Sequence, residues 1–96
     1  NIIHILINNK SHDSVGGQPT LGEFIDFTKI SKASGYKSNI LIKNKKKIRS
    51  TIKKALRSKN NSFLQINCEK GYRTNLGRPD KNIKKRKELF IKHLNH

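Results

Sequence analysis

Apolar positions along this 96-residue chain fall into three short runs, each bounded by polar or turn-forming residues. Residues 2–8, 38–42 and 62–68 have the length and Ile-rich content of strands buried within a sheet. The spacing changes between them. Asp26 suits a helix N-cap, with Ile25 and Ile30 at the N′ and N4 positions of a hydrophobic staple. Phe27, Ile30, Ser31 and Ser34 then share one face, and Gly35 stands where a C′ glycine ends a helix. A second helix is predicted over residues 45–58. Its apolar stripe is Ile48, Ile52, Ala55 and Leu56, and Lys45, Lys46, Lys47, Arg49, Lys53, Lys54 and Arg57 cover the rest. A last helix is predicted over residues 84–94. No internal repeat or flexible linker interrupts the series.

Strand–helix–strand–helix–strand with short connections predicts an α/β fold: a parallel sheet flanked by helices and joined by right-handed crossovers. Ligands in such sheets bind beyond the carboxyl ends of the strands. That rule directs attention to the stretch just after the first run.

Composition first suggests something else. There are 22 Lys+Arg against 6 Asp+Glu, a formal charge of +16. Clustered cations are rewarded by polyanions through counterion release, so a small basic nucleic-acid-binding protein is one reading. Position alters it. Residues 1–40 hold 4 basic and 3 acidic side chains, whereas residues 41–96 hold 18 and 3. The basic part has no zinc-finger spacing, no aromatic RNA-binding stretch and no heptad zipper. Lys (17), Ile (13) and Asn (11) dominate the chain, a bias expected when AT-rich codons accumulate at permissive surface positions. A solvated basic surface is therefore expected, without nucleic acid as partner.

Single residues add little chemistry. Cys68, the only cysteine, excludes an internal disulfide and fits a reducing, cytoplasmic compartment; at the end of a strand it reads as a buried thiol. His4 reads as a packed or edge-strand histidine, and His93 and His96 lack partners for a zinc site. The apolar run at the start is too short for a membrane span or a signal peptide. With no Met, the chain is expected to be a piece of a longer protein.

Residues 8–20 read Asn-Asn-Lys-Ser-His-Asp-Ser-Val-Gly-Gly-Gln-Pro-Thr. They are rich in short oxygen-bearing side chains, and Gly16-Gly17 permit a tight turn or a close approach to a ligand. Asparagine oxygens and free carbonyls are hard ligands of the kind Mg²⁺ accepts beside phosphate oxygens. An ordinary surface loop with Asn-rich turn chemistry would have the same composition.

The run at 12–20 resembles the corresponding loop of the phosphonopyruvate decarboxylases, a thiamine-diphosphate-dependent family. Asn8-Asn9 resembles the closing half of the Gly-Asp-Gly…Asn-Asn cofactor motif. Further similarities follow in order: Asp26-Phe27, Ile30, Ala33, Gly35-Tyr36-Lys37-Ser38, Gly71-Tyr72-Arg73, Asn75-Leu76-Gly77-Arg78-Pro79, and the ending from Lys87 to Leu94. The resemblance implies that residues 1–96 are the C-terminal part of a thiamine-diphosphate-binding domain. It places the Gly-Asp-Gly half ahead of Asn1 and implies a pyrimidine-binding domain elsewhere, so the chain alone is expected to be inactive.

The implied activity is decarboxylation of 3-phosphonopyruvate to phosphonoacetaldehyde and CO₂, in an enzyme that is a homo-oligomer when intact. Sulfopyruvate decarboxylase, of the same class, is the alternative, and the substrate in either case is a small 2-oxo acid. By the family pattern Asn9 gives a side-chain oxygen to Mg²⁺, and Ser11 gives its backbone carbonyl. His12 is carried over as a contact of the thiamine diphosphate or the substrate. Gly16, Gly17 and Gln18 are carried over as substrate contacts. Arg78 could equally reach a phosphonate or pin the C-terminal crossover to a carboxylate. Two departures stand out. Lys10-Ser11 replaces a usual Gly-Ala, so that a cation stands beside the metal position or points outward. Residues 80–86, Asp-Lys-Asn-Ile-Lys-Lys-Arg, replace a stretch of threonines, a proline and Glu-Asn.

Overall fold

A computed structural model describes residues 2–77 and 81–95. Three parallel strands form the sheet: β1 (Ile3–Asn8), β4 (Ser38–Ile42) and β5 (Ser62–Asn67), in the order β1-β5-β4. β2 (Ser11–His12) and β3 (Gln18–Pro19) form a small antiparallel ladder apart from it. The helices are α1 (Phe27–Ala33), α2 (Ile48–Arg57) and α3 (Ile83–Leu94). The expected α/β architecture is thus present, with all three long strands and all three helices close to their predicted bounds.

Local chemistry explains the element ends. Asp26 caps α1 by accepting from the Lys29 N–H at 3.0 Å and the Thr28 hydroxyl at 2.7 Å. The Thr28 hydroxyl, followed by the Lys29 N–H, holds its carboxyl below the usual aspartate range. At the other end Gly35 takes the left-handed conformation (φ +92°). The Gly35 N–H then reaches the Lys32 carbonyl, and the Tyr36 N–H reaches that of Ser31. This is the Schellman closure expected of a C′ glycine. Asn44 caps the 3₁₀ turn Lys45–Lys47 that leads into α2, accepting from the Lys46 N–H at 2.9 Å. Three lysines at that end oppose the helix dipole, so packing rather than charge placement must hold α2.

Register sets the core. Ile3, Ile5 and Ile7 stand beside Ser62, Leu64 and Ile66, which in turn stand beside Ser38, Ile40 and Ile42. α2 covers this face. Ile42, Ala55 and fully buried Leu64 form the centre, and Ile3, Ile40, Ile48, Ile52 and Ile66 pack around them. α1 covers the opposite face, where the buried Ser31 hydroxyl donates to the Asn39 side-chain oxygen.

Several expectations need correction. Only β5 is buried as a central strand. β1 is an edge strand of this sheet, and Ile5 and Ile7 are 39% and 58% exposed, because α2 lies over β4 and β5. In α1 it is Ser31 that faces inward while Ile30 is 54% exposed, and Leu56 of α2 is 67% exposed. Cys68 is exposed, because the chain leaves the sheet after Asn67. His4 is an exposed edge histidine, its ring edge-on to Phe63 (centroids 5.1 Å apart) and its Nδ1 3.3 Å from the Tyr36 hydroxyl. α3 is exposed along its whole length. Among the described residues no helix is long and apolar enough to cross a membrane. Arg78, Pro79 and His96 lie outside the described residues.

Candidate functional site

Because β1 and β5 are parallel neighbours, with Asn8 beside Asn67, the segments that leave them emerge side by side. A cavity of about 660 Å³ opens there. Asn9, Lys10, Ser11, Gly17 and Pro19 line one side, and Asn67, Cys68, Glu69 and Lys70 the other. This is the carboxyl edge of the sheet, where the strand order leads one to look.

The polar stretch after β1 is more ordered than its composition suggests. Asn8 is buried and works at both ends of its amide. Its Nδ2 donates to the Gly22 carbonyl at 2.7 Å, and its Oδ1 accepts from the Lys10 N–H at 3.0 Å. Gly22 must be small here, since a Cβ would stand 2.7 Å from Asn8 Oδ1. β2 and β3 pair across a 3₁₀ turn, Asp13–Val15, that ends at Gly16 with φ +117°. Strands of two residues have no periodicity to read, which is why the sequence showed only a loop.

Lys10 is the only non-glycine among the described residues with a positive φ, at 57°. A side chain in that conformation is strained. The Lys10 ammonium turns to Glu23, 3.1 Å away. We predict that Lys10→Gly is about 1 kcal/mol more stable than Lys10→Ala, since glycine removes the left-handed penalty and gives back part of it in unfolded-state entropy. Urea unfolding of the two variants tests this, and equal midpoints would refute it.

Asn9 and Ser11 both line the cavity. Asn9 Oδ1 accepts the Ser11 N–H at 3.2 Å, and Asn9 Nδ2 donates to Asp13 Oδ2 at 2.8 Å. The Thr20 N–H donates to the Lys10 carbonyl at 2.9 Å, so Ser11 and Pro19 are a non-hydrogen-bonded pair of the ladder. The Ser11 carbonyl therefore points away from β3 and is left as an available oxygen. Gly17 shares the cavity, whereas His12, Gly16 and Gln18 lie outside its lining. His12 is exposed, its carbonyl accepting from the Gly17 N–H at 3.0 Å. Gln18 is also exposed, and a Cβ at Gly16 would stand 2.9 Å from its amide.

Asp13, which its residue type did not single out, joins these groups. Its Oδ2 accepts from Asn9 Nδ2 and, at 2.7 Å, from the Gly71 N–H; its Oδ1 accepts from the Ser11 hydroxyl at 3.0 Å. The Gly71 N–H is the main cause holding this carboxyl below the usual aspartate range. A signal was present in the sequence: an acidic residue two positions beyond Ser11 and four beyond Asn9.

As a cation site the donor set is one of neutral, hard oxygens. Asn9 Oδ1 has one hydrogen bond and a second lone pair, and the Ser11 carbonyl faces no ladder donor. Two such oxygens suit Mg²⁺, which completes its octahedron with phosphate and water oxygens. No group of three or more His, Cys, Asp or Glu that could hold a metal occurs among the described residues. The residues present therefore fit part of an Mg²⁺ shell.

No protein-family model matches the chain, and no solved structure matches it. Two curated proteins do: the phosphonopyruvate decarboxylases of Streptomyces viridochromogenes and Streptomyces hygroscopicus. Each is 28% identical to this chain over 79 residues. The alignment covers 82% of this chain and 20% of each relative. The chain is thus distantly similar to a decarboxylase and spans about a fifth of its length.

Proposed function

We propose that this chain is part of a thiamine-diphosphate- and Mg²⁺-dependent decarboxylase of small 2-oxo acids, with 3-phosphonopyruvate as the substrate. The observation that carries the reading is the pair of oxygens from Asn9 and Ser11 at the carboxyl edge of the parallel sheet, in a chain similar to phosphonopyruvate decarboxylases.

In this reading Asn9 Oδ1 and the Ser11 carbonyl would hold Mg²⁺, and the cation would supply positive charge for a diphosphate. Thiamine diphosphate, when bound, supplies the electron sink that 2-oxo acid decarboxylation needs. The protein's own work is binding and orientation. The left-handed turn at Gly16-Gly17 brings the Gly17 backbone to the cavity. Of the charged residues in the lining, Lys10 is paired with Glu23, and Lys70 stands beside Glu69, so Lys70 is the cation this reading assigns to a phosphate or phosphonate. The parts of the enzyme outside this fifth of the relatives' length would complete the site, and the basic surface of α2 and α3 has no role in it.

The test is a titration of the ¹⁵N-labelled chain with Mg²⁺ and thiamine diphosphate, followed by NMR. Amide shifts are expected at residues 9–17 and 67–71, and Asn9→Ala is expected to weaken the affinity about tenfold or more, as for loss of a metal ligand or its support. Shifts confined to α2 and α3, or unchanged affinity in Asn9→Ala, would refute the reading.

A further inference from the structure

Asn9 presents a general problem. A primary amide has a donor end and an acceptor end of nearly equal shape, and which end faces a ligand depends on the partner of the other. Asp13 Oδ2 lies 2.8 Å from Asn9 Nδ2. An ionised carboxylate only accepts, so it selects the amide nitrogen and rejects the oxygen. Asn9 Oδ1 is thereby turned away from Asp13 and toward the Ser11 N–H. The same carboxylate takes the Ser11 hydroxyl at 3.0 Å and so fixes the second oxygen-bearing residue. Its third partner is far away in sequence: the Gly71 N–H, 2.7 Å from Oδ2 and 58 residues along the chain. Gly71 follows Cys68, Glu69 and Lys70, the opposite wall of the cavity. Asp13 itself is absent from the lining.

We infer that Asp13 is a positioning residue of this site, orienting the Asn9 amide toward a bound cation and tying the wall beyond β5 to the loop beyond β1. The assignment rests on the cofactor reading above. It adds that one carboxylate, touching neither cofactor nor substrate, sets both the ligand geometry and the width of the cavity. Ligand orientation by such supporting groups changes metal affinity about 10–100-fold when they are removed.

The experiment compares the wild-type chain with Asp13→Ala and Asp13→Asn. It has three readouts: exchange of the Gly71 amide, affinity for Mg²⁺ with thiamine diphosphate, and the Leu64 methyl signals as a measure of the core. Asp13→Ala should free the Gly71 amide and weaken affinity about 10–100-fold, with the core signals unmoved. Asparagine can keep one oxygen on Asn9 Nδ2 and Gly71 while turning its nitrogen to the Ser11 hydroxyl. Asp13→Asn should therefore retain Gly71 protection and lose only about threefold to tenfold, because its bonds are no longer charge-assisted.

Wild-type affinity in Asp13→Ala would overturn the assignment, as would a Gly71 amide that exchanges no faster. Should Asp13→Ala lose its core signals, Asp13→Asn decides, and affinity unchanged there overturns it. A wild-type chain that fails to respond to Mg²⁺ and thiamine diphosphate removes the cofactor reading and this assignment together. Gly71 exchange distinguishes that failure from a missing Asp13–Gly71 tie.

Discussion

Leu64→Ala is expected to lower the stability of the chain by about 3 kcal/mol, within the range seen when a buried leucine is truncated. Leu64 has no exposed surface and sits on the central strand, with β1 on one side and β4 on the other. The core around it is small. Ile42 and Ala55 are the buried apolar residues clustered with it, and the five isoleucines packed around them are only partly buried. A domain of this size has roughly 5–14 kcal/mol of stability in all, and the loss would show as a large fall in the urea midpoint. Ile7→Ala is the control. It lies on the same face of the sheet, but on edge strand β1 and 58% exposed, and it should cost under about 1 kcal/mol. Equal costs at the two positions would refute the strand order β1-β5-β4.

Asn8→Ala is expected to cost about 2 kcal/mol, through lost hydrogen bonds rather than lost volume. Its two ends hold the Gly22 carbonyl and the Lys10 N–H, so truncation leaves a donor and an acceptor without their partner at once. Asn8→Asp should not restore stability, because the carboxylate places an acceptor against the Gly22 carbonyl. Denaturant unfolding gives the stability, and amide exchange at Lys10 reports whether the loop loosens. Wild-type stability in Asn8→Ala would show that this side chain does not organise the polar stretch. Asn8 and Asn9 therefore have separate tasks. The first belongs to the fold of the loop, and the second faces the cavity.

Two features that depend on near neighbours in the chain, the Asp26 cap and the Gly35 stop, are expected from the sequence and present in the structure. Asp26 could be read as a cap because its acceptor meets the N–H of a residue three positions away, and Gly35 as a terminator because only its own φ decides. The strands and helices follow from apolar spacing over five to twelve residues. Burial was harder to read. Ile5, Ile7, Ile30 and Leu56 are as apolar as Leu64, but whether an apolar residue is covered depends on which element lies above it. The exposure of Cys68 likewise depends on where the chain leaves the sheet.

By itself the sequence determined the class of fold, the number and kind of its main elements, and the stretch where oxygen donors gather. These follow from local preference and periodicity, which act within a few residues. Tertiary structure decided the strand order, the covered faces, and the meeting of the loops beyond β1 and β5. That meeting makes the site. Asp13 and Gly71, 58 residues apart, become partners only because two parallel strands in register bring their carboxyl ends together. No pattern along the chain encodes that meeting, since it is set by the pairing of β1 with a strand far along the chain.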